Sequence, residues 1–225
     1  MTLHFEREIE KLKRDLLSLS ALVEETLKRS ILSLRNRDGK MAQAVLDTDP
    51  EIDLREVDIE EECQKILALH QPVAHDLRFL IACLKINAEL ERIGDAAVNI
   101  AERVLFLVGQ EPVTVPFDYE GMAEKAQVML HNSLDALVNL DVRLAYQVIE
   151  ADDEVDAHNR EAYLQVENFI QKTPRLTSCY THLLGISRHI ERIADHATNI
   201  AEDVIYLIEG TIIRHRTEEY KPFAQ

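Results

Sequence analysis

The chain has 225 residues, 46% of them hydrophobic, and carries 41 acidic against 25 basic residues for a formal net charge of −16. That apolar content excludes a disordered chain. The negative field opposes a nucleic-acid backbone or an anionic lipid surface, leaving metal cations or basic protein surfaces as favoured partners.

With no Trp, six Gly and six Pro, the composition points to long helices and few tight turns, an all-α fold. Glycine and proline then cut the sequence into elements. A first helix is expected from Phe5 to Arg37, a short one from Asp38 to Leu46, and a third from Asp49, with Pro50 in the favoured first helical position and Asp49 available as its cap. The third ends before His70-Gln71-Pro72. A fourth spans His75 to Leu107, with Gly109 as its left-handed terminator. The stretch 109–118, GQEPVTVPFD, loses helical periodicity and marks a boundary between residues 1–110 and 117–225.

After that boundary the order of signals returns. ERIGDAAVNIAE, Glu91 to Glu102, recurs as ERIADHATNIAE, Glu191 to Glu202, with nine of twelve positions identical at a spacing of 100. VLDTDPEID, Val45 to Asp53, aligns with VIEADDEVD, Val148 to Asp156, at 103, so the following loop is three residues shorter in the second half. Gly210 is expected to close the last helix as Gly109 closes its counterpart. On the fourth helix Ile86, Leu90, Ile93, Ala97, Ile100, Val104 and Leu107 recur every three or four positions, one stripe able to seal a bundle. Three long helices per half is the minimum that closes around such stripes. The expected fold is two tandem three-helix bundles, six main helices related by an internal repeat.

The polar residues preserved in both copies are the candidate site. Asp49 with Asp53, Glu91 with Asp95, Asp152 with Asp156, and Glu191 with Asp195 stand four apart, so each pair presents two carboxylates on one helix face. Glu91, Asp95, Asn99 and Glu102 form a stripe nearly opposite the apolar seam. Any one pair could be a solvated face neutralised by Arg92, Arg103 or Arg55. All four fall at equivalent repeat positions, which favours two sites where facing pairs converge on a hard cation. Clustered carboxylates need a counter-charge, and oxygen ligands suit magnesium, manganese or iron.

Other chemistries lack their residues. A ferritin-like di-iron centre needs Glu-x-x-His, but Gly94 and Ala194 stand three residues after Glu91 and Glu191. His189 and His196 have Glu89 and Ala96 as their repeat equivalents and read as satisfied side chains, and the remaining histidines show no metal spacing. No nucleotide-binding glycine motif occurs, and no nucleophile can be matched with a base. A carboxylate-bridged, metal-dependent phosphoester hydrolase is the enzymatic alternative. Cys63, Cys83 and Cys179 form no paired motif and read as buried thiols of a cytoplasmic protein. No apolar stretch approaches the roughly 20 residues of a membrane span, so membrane association is expected through partners.

The segments QPVAHDLRFLIACLKINAELERIGDAAVNIAE and SRHIERIADHATNIAEDVIYLIEG resemble the two halves of the PhoU family of phosphate-signalling proteins, over essentially the whole chain. The resemblance implies two three-helix bundles with multinuclear iron or zinc clusters at the acidic motifs. Transferred to this sequence, the metal ligands are Glu91, Asp95, Glu191 and Asp195, with Asp49, Asp53, Asp152 and Asp156 facing them. It also implies a non-enzymatic cytoplasmic regulator of phosphate uptake, working with the ATPase of the phosphate transporter and with a membrane-bound sensor histidine kinase to repress the phosphate-starvation response. A homodimer is expected. Residues Pro72 to Arg78 have no clear counterpart in the second half, so the rims of the two sites are expected to differ.

Overall fold

A computed structural model describes residues 3–213, and among them every regular element is helical. Helix α1 (Leu3–Asn36) buries Phe5, Leu12, Leu16, Leu19, Val23, Leu27, Ile31 and Leu34, one stripe along its whole length. Arg37 then enters the left-handed region at φ 49, and the carboxylate of Asp38 accepts the backbone N–H groups of Lys40 and Met41 to start α2 (Gly39–Leu46). The same device recurs in the second half. Leu140, at φ 51, ends α5 (Tyr119–Asn139), and Asp141 caps α6 (Val142–Lys172) through the N–H groups of Arg143 and Leu144.

The copies diverge next. In the first half α2 stops and α3 (Asp49–His70) begins after a two-residue break, because Pro50 offers no N–H to a preceding turn. Asp153 holds the equivalent position, and α6 runs on without interruption. Asp49 is the first residue of α3 and not its cap, which is Thr48, with no side-chain capping bond. Helix α4 (Ala74–Val108) is followed by Gly109 at φ −74, so the expected left-handed terminator is absent there. Gly210, at φ 74, does end α7 (Thr177–Glu209) in that way. At Gly109 the last carbonyls have another donor: the Arg37 guanidinium reaches the Leu107 and Gln110 oxygens at 2.8 and 2.9 Å.

Helices α1, α3 and α4 pack on one another, as do α5, α6 and α7. This is the two-bundle architecture that the duplicated pattern implies. All seven residues of the predicted α4 seam are buried. The bundles assigned to 1–110 and 117–225 include residues 1–2 and 214–225, which lie outside the described residues. The connecting segment is not a free tether, since Val113, Val115 and Phe117 pack against the core.

Helix α4 also packs on α7, and this is the most extensive helix pairing in the molecule. The two run antiparallel. Lys85 Nζ donates to Asp203 at 2.8 Å, His196 Nδ1 and Asn199 Nδ2 meet Glu89 at 2.7 and 3.0 Å, Arg103 meets His189 Nε2 at 3.1 Å, and Phe106 stacks on His182. Gly185 makes room for the Arg103 guanidinium, since a Cβ there would lie 2.4 Å from its Nε. Cys63, Cys83 and Cys179 are buried and free, as the sequence suggests. No described helix is long and apolar enough to cross a membrane.

Candidate metal-binding acidic faces

Each half turns one helix pair into an acidic face. In the first, α3 carries Asp49 and Asp53 and the antiparallel α4 carries Glu91 and Asp95. Burial raises the Asp49 carboxyl above its ordinary range, and Asp53, Asp95 and Glu102 push it further. Glu91 is raised by burial and by Asp95, Asp53 and Glu56, against a smaller pull from Arg92. Asp95 is raised by burial and Asp53, with Arg192 opposing. These causes cross from α3 to α4, so carboxylates of the two helices act on one another electrostatically. The stripe sits in the groove between two helices, with Glu91 and Asp49 half-buried and Asp95 exposed.

The second face lies on α6 and α7. Asp152 is raised to about 7 by burial and then by Asp195, Asp156, Asp153 and Glu191. Burial, Asp195 and Asp156 raise Glu191, while burial and Asp156 raise Asp195. Carboxylates whose main electrostatic neighbours are other carboxylates oppose their own ionisation, and a bound divalent cation would remove that opposition. The donor set is all oxygen, which fits hard cations. The grouping is loose: among the described residues the only three donors with ligand atoms all within 4.8 Å of one another are His4, Glu8 and His70, outside both faces.

The arginines considered as neutralisers are mostly engaged elsewhere. Arg92 binds Glu89 at 2.6 Å, Arg55 binds Glu51 at 2.5 Å and the Ser18 hydroxyl at 2.8 Å, and Arg103 lies against His189. His189 and His196 are only half satisfied within the α4 and α7 contact: His189 Nε2 meets Arg103 and His196 Nδ1 meets Glu89, while His189 Nδ1 and His196 Nε2 are buried without a hydrogen-bond partner. His189 is pushed down to about 4 by burial and by Arg103, Arg192 and Arg188.

Three features escaped the sequence reading. Beneath the first face Asn87, fully buried, donates to the Glu56 carbonyl at 2.9 Å and its carboxylate at 3.1 Å, and beneath the second Ser187 donates to Asn159 at 2.8 Å. Asn87 and Ser187 are repeat equivalents, as are Glu56 and Asn159, so one buried polar tie fixes the helix register under each face with different chemistry. Glu89 is the second feature, an acceptor shared by His196 and Asn199. Burial pushes its carboxyl up, but those hydrogen bonds outweigh it and leave the group below the usual range. The third is the His4, Glu8 and His70 group. Its signal was present as a His and Glu four residues apart on one helix face.

A protein-family model described as the PhoU domain matches residues 16–104 and again 119–204. The phosphate-specific transport system accessory protein PhoU homolog of Pseudomonas aeruginosa is 37% identical over 213 residues, 94% of this chain and 88% of that protein. The homolog from Aquifex aeolicus is 38% identical over 93% of this chain and 95% of its own length. Among solved structures, PhoU from Pseudomonas aeruginosa superposes with a TM-score of 0.88 at 36% identity, covering 92% of this chain and all of that one. The phosphate transport system regulatory protein PhoU from Streptococcus pneumoniae gives 0.82 at 30% identity, covering 92% and 98%.

Proposed function

Because this chain belongs to the PhoU family, we propose that it is a non-enzymatic accessory of phosphate transport. It acts in the cytoplasm and restrains the phosphate-starvation response by docking on the ATPase of a phosphate transporter and on a sensor histidine kinase. The relatives' accessory and regulatory names support the regulatory part. The acidic faces support the docking part: their charge suits basic surfaces directly, or through a bound cation shared with a partner.

The observation that carries this reading is the duplication of the face itself. Asp49, Glu91 and Asp95 in one half, and Asp152, Glu191 and Asp195 in the other, have their carboxyls raised by burial and by neighbouring carboxylates, among them Asp53 in the first half and Asp156 in the second. These eight would hold iron, manganese, magnesium or zinc. The ion would supply positive charge that relieves their repulsion. The chain's own residues fix how the carboxylates are presented, through the buried Asn87 and Ser187 ties below them.

The test combines Asp95→Asn with Asp195→Asn. Helicity should be retained, because both side chains are exposed, while metal retained on purification and repression of a phosphate-starvation reporter should both fall. Unchanged metal content together with intact repression would overturn the proposal. Phosphatase assays with added manganese or iron separate the hydrolase reading, because turnover lost in the same variant would favour it. Sedimentation of the same preparations measures the expected homodimer.

A further inference from the structure

A second kind of donor group lies away from the acidic faces, where the first turns of α1 meet the end of α3. His4 and Glu8 stand four apart on α1, and the His4 Nε2 to Glu8 Oε1 distance is 3.5 Å. From the last residue of α3, His70 Nε2 lies 2.5 Å from Glu8 Oε2. Gln71, left-handed at φ 47, turns the chain away directly afterwards and leaves the imidazole at the helix end. The buried Phe5 ring meets that of His70 edge to face at 5.1 Å and limits its orientation. We propose that His4, Glu8 and His70 form a binding site for a borderline transition-metal dication, zinc or cobalt, with solvent as the remaining ligand.

The geometry supports this in three ways. Nitrogen and oxygen ligands bind zinc at about 2.0 to 2.2 Å, so two donors on a tetrahedral ion sit about 3.3 Å apart. The His4 to Glu8 separation is already close to that, and the His70 to Glu8 pair has to open by about 1 Å. Glu8 is 7% exposed and places one carboxylate oxygen near each imidazole, Oε1 by His4 and Oε2 by His70. Two imidazoles and one carboxylate suit a borderline ion, whereas the acidic faces offer oxygen alone.

The competing reading is an ion-pair cluster, because Lys65 Nζ also lies 3.2 Å from Glu8 Oε1. Burial pushes the Glu8 carboxyl up, but hydrogen bonds from His70 and Lys65 outweigh it. Lys65 has a second acceptor in Glu62 at 3.0 Å, so it can leave Glu8 without losing its only partner. A metal would therefore displace an ammonium that has somewhere to go.

The two readings differ in the effect of Lys65. The experiment titrates full-length, chelator-treated protein with cobalt(II) at pH 7.5, in excess magnesium to occupy oxygen-only sites, following visible absorption and the melting temperature. One equivalent with the intense absorption of a four-coordinate ion is expected, along with a rise in melting temperature. His4→Ala should weaken that equivalent by about 100-fold or more, since even supporting residues around a metal cost 10- to 100-fold. His4 is exposed, so the variant should fold. Lys65→Met should tighten binding, an effect an ion-pair cluster would not produce. Asp95→Asn with Asp195→Asn should leave this equivalent in place, which keeps it distinguishable from the acidic-face proposal. No such absorption in the wild type, or its survival in both His4→Ala and His70→Gln, would overturn the site.

Discussion

Asp152→Asn should stabilise the metal-free protein at pH 8 and have a much smaller effect at pH 4. In the folded chain the Asp152 carboxyl sits at about 7 against an ordinary 3.8, because it is partly buried and faces Asp195, Asp156, Asp153 and Glu191. Well below pH 3 the group is protonated in folded and unfolded chains alike and contributes nothing; at pH 4 the unfolded chain is already partly ionised, and only a small part of the penalty is present. As pH rises from 4 to 7 the unfolded chain ionises first, so stability falls; above 7 the penalty is constant. A difference of about 3 pH units corresponds to about 4 kcal/mol, and solvent screening of this partly exposed group reduces that to about 2 kcal/mol. For a chain of this size that is a gain of about 4 to 8 °C in melting temperature. Thermal unfolding in chelator at both pH values measures it. Divalent cation should then raise the wild type more than the variant, by about 2.7 kcal/mol at a hundredfold excess over Kd. A variant less stable than wild type at pH 8, or a gain of equal size at pH 4, would refute the account of mutual carboxylate repulsion.

Lys85→Met removes the ammonium partner of Asp203, which is 2% exposed, and should cost about 2 kcal/mol in urea unfolding. A Cβ on Gly94 would lie 3.1 Å from the Ile52 Cδ1, while the repeat equivalents are Ala194 and Val155. Gly94→Ala and Ile52→Val should each destabilise, by about 1 kcal/mol, and a double-mutant cycle should show favourable coupling of at least about 1 kcal/mol. Leu140 holds φ 51 with 53% of its surface exposed, so Leu140→Gly should raise the melting temperature by about 2 to 4 °C.

Local features were legible in proportion to how local their physics is. The α4 seam follows from spacing and side-chain chemistry within a few residues, and all seven of its residues are buried. Gly109 was misread because its helix end is satisfied by Arg37, a residue 70 positions from Leu107 that no local pattern indicates. Of the candidate site, the sequence supplied the eight proposed carboxylates and their spacing of four along each helix. It did not supply their depth in the groove or the Asn87 and Ser187 ties, since burial of a polar side chain depends on the neighbouring helix. His4 and His70 are brought together only by the packing of α1 on α3, and neither sits in a repeated motif.

The pairing of α4 with α7 bears on how the two copies can have changed since they were one gene. If a first half met another first half through the same surface, Lys85 would face Arg103, the counterpart of Asp203, and two cations would oppose each other. If two second halves met, Asp203 would face Gly185, the counterpart of Lys85, and lose its ammonium. At this one contact, charge complementarity therefore favours the joining of unlike halves over the pairing of like ones.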